Sequence, residues 1–188
     1  GHVATLGWGS CLAISALADL NDDGTADLIT GCADSTIRAY SAASDSLIWV
    51  RQTEGPINSS PAIGNIHPAE FGVEITFGND KSRVHLLEKG QGASIFPWPF
   101  IAIPSAMVRT SPAIADINGD EHPDVTFGAS NGYVYALDYY PDTIVPYPLP
   151  LFGIPSSPTI SDIDGDKLSE LVVVSSDGYL HVWKHQAS

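Results

Sequence analysis

The feature that most constrains this chain is an internal repeat that occurs four times within its 188 residues. Each copy contains a short apolar segment, a polar loop, a second apolar segment and a tight turn. Equivalent loop positions, Asp19, Asn65, Asp116 and Asp162, follow one another at intervals of 46, 51 and 46 residues. A period of this size is typical of solenoids and of rings of small sheets, because each repeat buries its apolar faces only against its neighbours.

Each repeat is predicted to form four short antiparallel strands. In the third copy, the first three strands are expected at 113–115, 124–128 and 133–137. The dipeptide Asn131-Gly132 between the last two is typical of a two-residue hairpin turn, because both residues tolerate positive φ. The fourth strands are weaker, near 47–51, 96–101 and 144–149. Prolines interrupt two of them, and since proline cannot donate to a ladder, these strands are expected at an outer edge.

The repeats predict an all-β chain folded as a β-propeller with four blades of four antiparallel strands. The blades are expected at about 12–51, 59–102, 110–149 and 156–185. The last repeat lacks a fourth strand, and residues 2–6 form a fourth strand without a repeat, so pairing of the two would close the ring. The alternative is a fragment of a seven- or eight-bladed propeller. Small side chains occupy two positions of every first strand, which suits a narrow ring: Ala16, Ala62, Ala113 and Thr159, and Ala18, Gly64, Ala115 and Ser161.

The charge of the chain excludes some partners and points to a cation. There are 22 Asp and Glu against 8 Lys and Arg, a formal net charge of −14. Such a chain repels phosphate backbones and anionic lipid, so we expect no nucleic-acid partner. No apolar run approaches the ~20 residues that span a bilayer, so we expect no membrane insertion. Twelve of the 22 acidic residues lie in three loops of the repeats, which indicates that the loops hold a metal ion.

The three acidic loops have oxygen-bearing residues at positions 1, 3, 5 and 9 and a backbone carbonyl at position 7. Ca²⁺ takes six to eight oxygen ligands, and the absence of cysteine from the loops argues against Zn²⁺. The sequence therefore predicts up to three Ca²⁺ ions, in blades 1, 3 and 4. The expected ligands are Asp19, Asn21, Asp23, Thr25 and Asp27; Asp116, Asn118, Asp120, His122 and Asp124; and Asp162, Asp164, Asp166, Leu168 and Glu170.

The loops differ in where their glycine lies. Blade 1 has Gly24 at position 6, whereas the other two loops have Glu121 and Lys167 there and a glycine at position 4. We interpret the loops of blades 3 and 4 as weaker binding sites for this reason. The loop of blade 2, residues 65–74, has an extra residue and lacks the alternating oxygens, so we expect it to bind no metal.

These loops and the strands after them resemble a known family. The pattern S-P-x-[IV]-x-D-x-[DN]-x-D, followed by a strand containing Phe127-Gly128 or Phe77-Gly78, resembles the FG-GAP or integrin-α-type calcium-binding propeller repeat. Residues 44–51 resemble the exit strand of quinoprotein-type propeller repeats. The resemblance implies structural Ca²⁺, an extracellular setting and a role in adhesion or ligand binding. Integrin-type propellers have seven blades, so a four-bladed ring departs from the family and its ligand face is not carried over.

Two further features bear on the compartment of the protein. Cys11 and Cys32 are the only cysteines, and a hairpin between the first and second strands of blade 1 would bring them together, so we predict a disulfide. Two buried free thiols are the alternative. Asn58 begins the sequence Asn-Ser-Ser, a glycosylation signal that has meaning only in a secretory eukaryote.

The sequence predicts a secreted, calcium-stabilised, non-enzymatic interaction, adhesion or extracellular assembly module. Its ligand is expected to be a protein or a glycan, and strand exchange between copies offers a route to self-assembly. No nucleophile elbow, phosphate-binding glycine loop or paired-carboxylate signature is found, so no catalytic residue is predicted. The alternatives are a carbohydrate-binding lectin and a polysaccharide lyase or hydrolase, or a non-catalytic part of one. The four tryptophans are interpreted as core between blades rather than a sugar platform.

Overall fold

The computed structural model of the chain describes residues 10–11, 13–67, 72–102 and 106–184. All regular secondary structure in these ranges is β-strand. Across the same residues, no helix has the length and apolarity needed to cross a bilayer.

The strands form four separate antiparallel sheets, one for each repeat. The sheet of blade 1 contains β1 (Ala16–Ala18), β2 (Asp27–Gly31), β3 (Thr36–Ser41) and β4 (Ser46–Gln52). That of blade 2 contains β5 (Ala62–Gly64), β6 (Glu74–Gly78), β7 (Arg83–Glu88) and β8 (Phe100–Ile101). That of blade 3 contains β9 (Ala113–Ala115), β10 (Asp124–Ala129), β11 (Tyr133–Leu137) and β12 (Leu149–Pro150). Blade 4 contains β13 (Thr159–Ser161), β14 (Glu170–Val174) and β15 (Leu180–Lys184).

The strands of each sheet pair in chain order, and the first strands of successive sheets lie beside one another. Strand β1 contacts β5, β5 contacts β9, and β9 contacts β13. Four small sheets whose inner strands converge in this way form a β-propeller with four blades, as predicted. The strand expected to complete blade 4, residues 2–6, lies outside the described residues.

The outer strands of blades 2 and 3 are shorter than predicted. They contain two residues each, in place of the predicted 96–101 and 144–149. Pro97, Pro99, Pro146 and Pro148 lie just before them and cannot donate to the neighbouring strand. Strand β4, which contains no proline, has seven residues. All three outer strands lie at the edge predicted for them.

The apolar core lies between neighbouring blades. Ile29, Ile37 and Trp49 of blade 1 pack with Ile75 and Phe77 of blade 2. Equivalent clusters join blades 2 and 3, and blades 3 and 4. Since each middle blade packs on both sides, every residue of β6 and β10 is buried. Burying one side chain of this size contributes about 1.5–3 kcal/mol, so the stacking of blades supplies most of the apolar stabilisation.

Two tryptophans link one blade to the next. Trp49 Nε1 donates a hydrogen bond to the carbonyl of Lys89 at 2.9 Å, and Trp98 Nε1 donates one to the carbonyl of Tyr139 at 2.9 Å. Both indole rings are buried. The interpretation of tryptophan as core between blades is therefore confirmed for these two. Trp183 is half-buried against Leu171, whereas Trp8 lies outside the described residues.

A glycine at or near the end of the second strand, which belongs to the Phe-Gly motif in blades 2 and 3, lets the chain entering the next blade lie directly on the sheet. A Cβ atom added to Gly31 would lie 2.3 Å from Ile57 Cγ2, and one added to Gly78 would lie 2.3 Å from Val108 Cγ1. Real Cβ atoms do not approach other carbons so closely, so a side chain at either position would displace the segment that enters the next blade. Gly128 and Pro155 repeat this contact between blades 3 and 4.

A disulfide joins Cys11 and Cys32, as predicted, with an Sγ–Sγ distance of 2.04 Å. The predicted geometry was wrong in one respect. Cys11 lies in the segment before β1 rather than at the start of that strand, so the bond lies beyond the paired residues of β1 and β2, with the two Cα atoms 4.0 Å apart. The bond instead attaches the entering segment to the end of β2, beside the hydrogen bond from Ala33 N to the carbonyl of Ser10 at 2.8 Å.

Candidate metal centre

The three acidic loops share one backbone conformation. Both position 4 and position 6 of every loop have positive φ, whichever of the two is glycine. The φ angles are 60° and 82° at Asp22 and Gly24, 81° and 69° at Gly119 and Glu121, and 83° and 74° at Gly165 and Lys167. The exchanged position of the glycine therefore leaves the loop geometry unchanged and gives no structural reason for weaker binding in blades 3 and 4.

The side chains at positions 1, 3 and 5 are held by backbone N–H groups of their own loop. In blade 3, Asp116 Oδ1 accepts from Gly119 N at 2.7 Å and Asp116 Oδ2 accepts from Glu121 N at 2.9 Å. The same positions of the other loops behave alike, so in each loop backbone N–H groups fix the side chains of positions 1, 3 and 5 on the turn. The remaining hydrogen bonds of blade 3 join Asn118 with Asp120 N and Asp120 with His122 N. Those of blade 1 join Asp19 with Asp23 N and Gly24 N, Asn21 with Asp23 N, and Asp23 with Thr25 N. Those of blade 4 join Asp162 with Gly165 N and Lys167 N, Asp164 with Asp166 N, and Asp166 with Leu168 N.

The carboxylate at position 9 is buried at the start of the second strand in all three blades. One of its oxygens accepts from the backbone N–H of position 2, as in Asp124 Oδ2 with Ile117 N at 2.9 Å. The hydrogen bonding of the other carboxylate oxygen differs between the blades. In blade 1, Asp27 Oδ1 accepts from Ala42 N at 3.3 Å. Asp124 Oδ1 and Glu170 Oε1 are buried with no hydrogen-bond partner.

A buried carboxylate oxygen without a partner is costly, which makes it an indication of an absent ligand. The carboxylate also has a structural role, because blade 2 retains it without the acidic loop. There Glu74 Oε2 accepts from Ile66 N at 2.7 Å, and Oε1 has no partner. The loop of blade 2 contains residues 68–71, which lie outside the described residues.

A fifth acidic side chain approaches the blade 3 loop, and sequence reasoning missed it. Asp138 follows β11, and its Oδ1 is buried without a partner. Burial raises the pKa of Asp138, and Asp142 and Asp120 add to the effect. Burial also raises the pKa of Asp124 to about 7, and the neighbouring Asp120, Asp116 and Asp138 contribute. The repeat could have revealed Asp138, because the equivalent position of blade 4 is Lys184, which also contacts its loop.

Blade 4 has the densest group of carboxylates. Asp162, Asp164 and Asp166 offer oxygens that all lie within 4.8 Å of one another, and no other such acidic group occurs in the described ranges. Lys184 Nζ lies 2.7 Å from Asp166 Oδ2 and also contacts Asp164. These contacts raise the pKa of Lys184 and lower that of Asp166. The loop therefore already attracts a cation, in the form of an ammonium group.

Chemically, the loops offer carboxylate, amide and carbonyl oxygens and no sulfur. Such a set fits a hard divalent cation, and the buried unpaired oxygens of Asp124 and Glu170 show where two of its ligands would come from. Carboxylates packed this closely repel one another, and a divalent cation would relieve that repulsion.

Outside the loops, Asn58 is half-buried and its Nδ2 donates to Asp80 Oδ2 at 3.0 Å. The amide nitrogen to which a glycan would be attached is therefore engaged in the fold. Glycosylation would require this hydrogen bond to break.

No family model matches the chain, and no curated protein is similar to it in sequence. Several solved structures are similar. The computationally designed Ika4 protein is 14% identical over 99% of this chain and 99% of its own, with a TM-score of 0.67. BamB from Moraxella catarrhalis is 16% identical over 94% of this chain and 50% of its own, with a TM-score of 0.66. BBS1N, solved in complex with ARL6DN, is 14% identical over 92% of this chain and 51% of its own, with a TM-score of 0.65.

The fold is that of a β-propeller. At such low identities the likeness extends to the fold alone. The chain spans about half the length of BamB and of BBS1N, and nearly all of Ika4.

Proposed function

We propose that this propeller is a calcium-stabilised, non-enzymatic interaction or assembly module that works outside the cell. The observation that carries the proposal is that the loop of blade 3 combines the buried, unpaired Oδ1 of Asp124 with the oxygen-bearing side chains of positions 1, 3 and 5. Blade 2 has the unpaired oxygen, on Glu74, without that alternation. Burial raises the pKa of the Asp124 carboxyl, and the negative charges of Asp120, Asp116 and Asp138 raise it further. A site that concentrates buried negative charge without a counter-ion is suited to a divalent cation.

Calcium would act on stability in this proposal. An ion that binds the folded state alone stabilises it by about 2.7 kcal/mol per site at a hundredfold excess over the dissociation constant. The loops lie at the start of β2, β10 and β14, which are the strands with the greatest burial in their sheets. Anchoring a loop there would restrain the strand that follows it.

The extracellular setting is supported by the disulfide between Cys11 and Cys32, because such bonds persist in oxidising compartments. The interaction role rests on the resemblance of the loops to FG-GAP-type calcium propeller repeats, and it is an analogy between folds. A protein or a glycan would be the ligand. Self-assembly by strand exchange remains part of the proposal.

Isothermal titration with Ca²⁺ tests the metal site, using two matched variants. Asp124→Asn removes a buried carboxylate from an acidic loop, and Glu74→Gln removes its counterpart from a loop without alternating oxygens. We expect Asp124→Asn to lower the number of bound Ca²⁺ ions by one. Glu74→Gln should leave the number unchanged. The proposal is wrong if the unsubstituted chain takes up no Ca²⁺, or if Asp124→Asn binds as many ions as the parent. Thermal melts of both variants establish that they fold.

A further inference from the structure

Blades 1 and 4 each leave one apolar face uncovered. On blade 1, Leu17, Leu47 and Val50 are between 41% and 65% exposed. On blade 4, Val174, Leu180 and Val182 are between 45% and 63% exposed. We call these two surfaces the blade 1 face and the blade 4 face. Among the described residues, no apolar cluster joins blade 1 with blade 4, and all six side chains are exposed.

The blade 1 face corresponds to a surface that is covered in every other blade. Leu17 is opposite Leu28 in the sheet, so both side chains lie on the same face. The residues equivalent to Leu17 are Ile63, Ile114 and Ile160, at the centre of the first strands of blades 2, 3 and 4. Each of these isoleucines packs into the cluster shared with the preceding blade. Blade 1 thus presents the surface that normally receives a preceding blade.

The blade 4 face corresponds to the opposite surface, which normally receives the following blade. Leu180 and Val182 are opposite Val174 and Val172 on one face of the sheet. Their equivalents in the other blades are fully buried: Ile37 and Ala39, Val84 and Leu86, and Val134 and Ala136. The chain therefore carries both halves of a junction that it already forms three times.

The residue sizes at the two faces are complementary. At the internal junctions, a glycine meets a large side chain of the entering segment, as Gly31 meets Ile57 and Gly78 meets Val108. In blade 4 the glycine position is occupied by Val174. Ile57 and Val108 lie eight residues before Asn65 and Asp116, and the residue eight before Asp19 is Cys11. At a junction between the two faces, the larger Val174 of blade 4 would thus meet the smaller Cys11 of blade 1.

A series of hydrogen bonds also joins the segments that lead into the first strands, and among the described residues it begins at Ile14 and ends at Ser157. Ile14 N donates to Ser60 Oγ at 2.9 Å, Ser60 N to Ser111 Oγ at 3.2 Å, and Ser111 N to Ser157 Oγ at 2.9 Å. Ile14 has no hydroxyl, and its exposed side chain lies near Leu17 in the chain. Apolar contact would replace the serine hydrogen bond at a fourth junction.

We propose that two copies of this chain assemble into one closed ring, in which the blade 1 face of each copy packs on the blade 4 face of the other. Twofold symmetry then forms two identical junctions and leaves no blade face exposed. A second copy fits because it supplies both complementary faces at once, in the blade-on-blade geometry seen within the chain. BamB and BBS1N are about twice as long as the segment that matches this chain, so four blades of this shape occur there within a longer chain. This inference goes beyond the proposed function and does not require calcium.

Light scattering coupled to size-exclusion chromatography gives the test, at micromolar concentration. We expect a mass about twice the 19.9 kDa of one chain. Leu17→Glu alters only the blade 1 face and Val182→Glu only the blade 4 face. Each should raise the dissociation constant about 100-fold or more, because a buried unpaired carboxylate would lie in both junctions. Val145→Glu makes the same change at an exposed residue of a blade 3 link and should leave the mass unchanged.

Mixing the two variants separates this arrangement from other dimers. A pair composed of one Leu17→Glu chain and one Val182→Glu chain has one junction with both substitutions and one without any. We therefore expect the mixture to form more dimer than either variant alone. A dimer that survives either substitution would overturn the proposal, since like faces would then pair. A mass of one chain, or of more than two, would overturn it as well.

Footprinting of the unsubstituted chain with hydroxyl radicals does not depend on the folding of any variant. Labelling of Leu17 and Leu180 should fall as the protein concentration rises, whereas labelling of the exposed Phe152 should not change. Protection that is independent of concentration would mean that the ring closes within one chain, and the proposal would be wrong. All measurements are made in Ca²⁺ and in EGTA. A dimer that takes up no calcium would contradict the calcium proposal alone. Calcium uptake by a monomer would contradict the dimer proposal alone.

Discussion

At the loop of blade 4, the ammonium group of one lysine compensates part of the negative charge that a metal ion would otherwise meet. Lys184 Nζ contacts both Asp164 and Asp166, which are two of the predicted Ca²⁺ ligands. Its side chain is about half exposed, at 48%, so it can leave the loop when a divalent cation enters. Blade 3 has Asp138 at the equivalent position, so its loop gains a negative charge where blade 4 gains a positive one.

We expect Lys184→Gln to raise the Ca²⁺ affinity of the blade 4 loop about threefold to tenfold, the size of effect typical of one exposed charge. The measurement is isothermal titration in a chain that also carries Asp19→Asn and Asp124→Asn, so that the blade 4 loop dominates. Lys89→Gln is the control, because Lys89 contacts Asp22, which is not a predicted ligand. An unchanged affinity in Lys184→Gln would show that the ammonium group does not compete with the ion.

A buried histidine should make the fold sensitive to acid. His85 stacks on Phe77, with ring centroids 4.9 Å apart, and its Nε2 lies 3.2 Å from Asn79 Nδ2. Burial lowers the pKa of His85 from 6.5 to about 4, against an opposing effect of Glu54. The pKa of His85 is lower in the folded chain than in the unfolded chain. The free energy of unfolding is therefore at its full value above pH 6.5 and decreases as the pH falls towards 4.

We expect the unfolding free energy to fall by up to about 3 kcal/mol between pH 6.5 and 4 through this residue. His85→Gln should reduce that fall. Urea unfolding at several pH values, with the variant compared to the parent at each, isolates the contribution of His85. His181→Gln is the control, since His181 has the equivalent position in blade 4 but is only half-buried beside Asp177. Parallel pH profiles for the parent and His85→Gln would contradict the assignment.

Among the elements, the junction between blades depends on a glycine at the end of the second strand. An added Cβ at Gly78 would meet Val108 Cγ1 at 2.3 Å and the carbonyl oxygen of Val108 at 2.6 Å. We expect Gly78→Ala to destabilise the protein by about 1–3 kcal/mol, because backbone must move to admit the methyl group. Gly90→Ala is the control, since its added Cβ would meet only Glu88 Oε2, at 3.5 Å. Equal unfolding free energies for the two variants in urea would argue against the close approach.

The elements could be predicted from the sequence where the same residue pattern occurs in several repeats. Three loops with the same alternation of oxygens indicated a metal site, and the prolines before β8 and β12 placed these two strands at an edge. Single features were harder. The position of Cys11 before β1 follows from the path of the entering segment, which no local pattern encodes. Asp138 is one acidic residue just after a strand, and it is recognised only from its buried Oδ1 or from its equivalence with Lys184 in the repeat.

At the scale of the whole molecule, the propeller of four blades was predictable from the sequence, but the exposed faces of blades 1 and 4 were not. The repeat period indicates blades, and small residues in the first strands indicate that these strands approach one another closely. Which faces remain exposed depends on how the first and last blades are placed, and this is a property of the assembled fold. The predicted pairing of residues 2–6 with β15 falls outside the described residues and stays a prediction.

The net charge of −14 also acts on the whole molecule. Twelve of the acidic groups are concentrated in the three loops of blades 1, 3 and 4, so the folded state without metal carries repulsion within each loop that the extended chain avoids. We propose that calcium is the counter-charge that makes such loops compatible with a compact propeller.

Thermal unfolding with and without calcium tests this claim most directly. The midpoint is measured in EGTA, in millimolar Ca²⁺ and in millimolar Mg²⁺ at matched ionic strength. One occupied site contributes about 2.7 kcal/mol at a hundredfold excess of ion, which raises the midpoint by about 5–10 °C in a chain of this size. We expect at least that rise in Ca²⁺ and a smaller one in Mg²⁺, which gives up its water ligands reluctantly. A midpoint that is the same in EGTA and in saturating Ca²⁺ would contradict it.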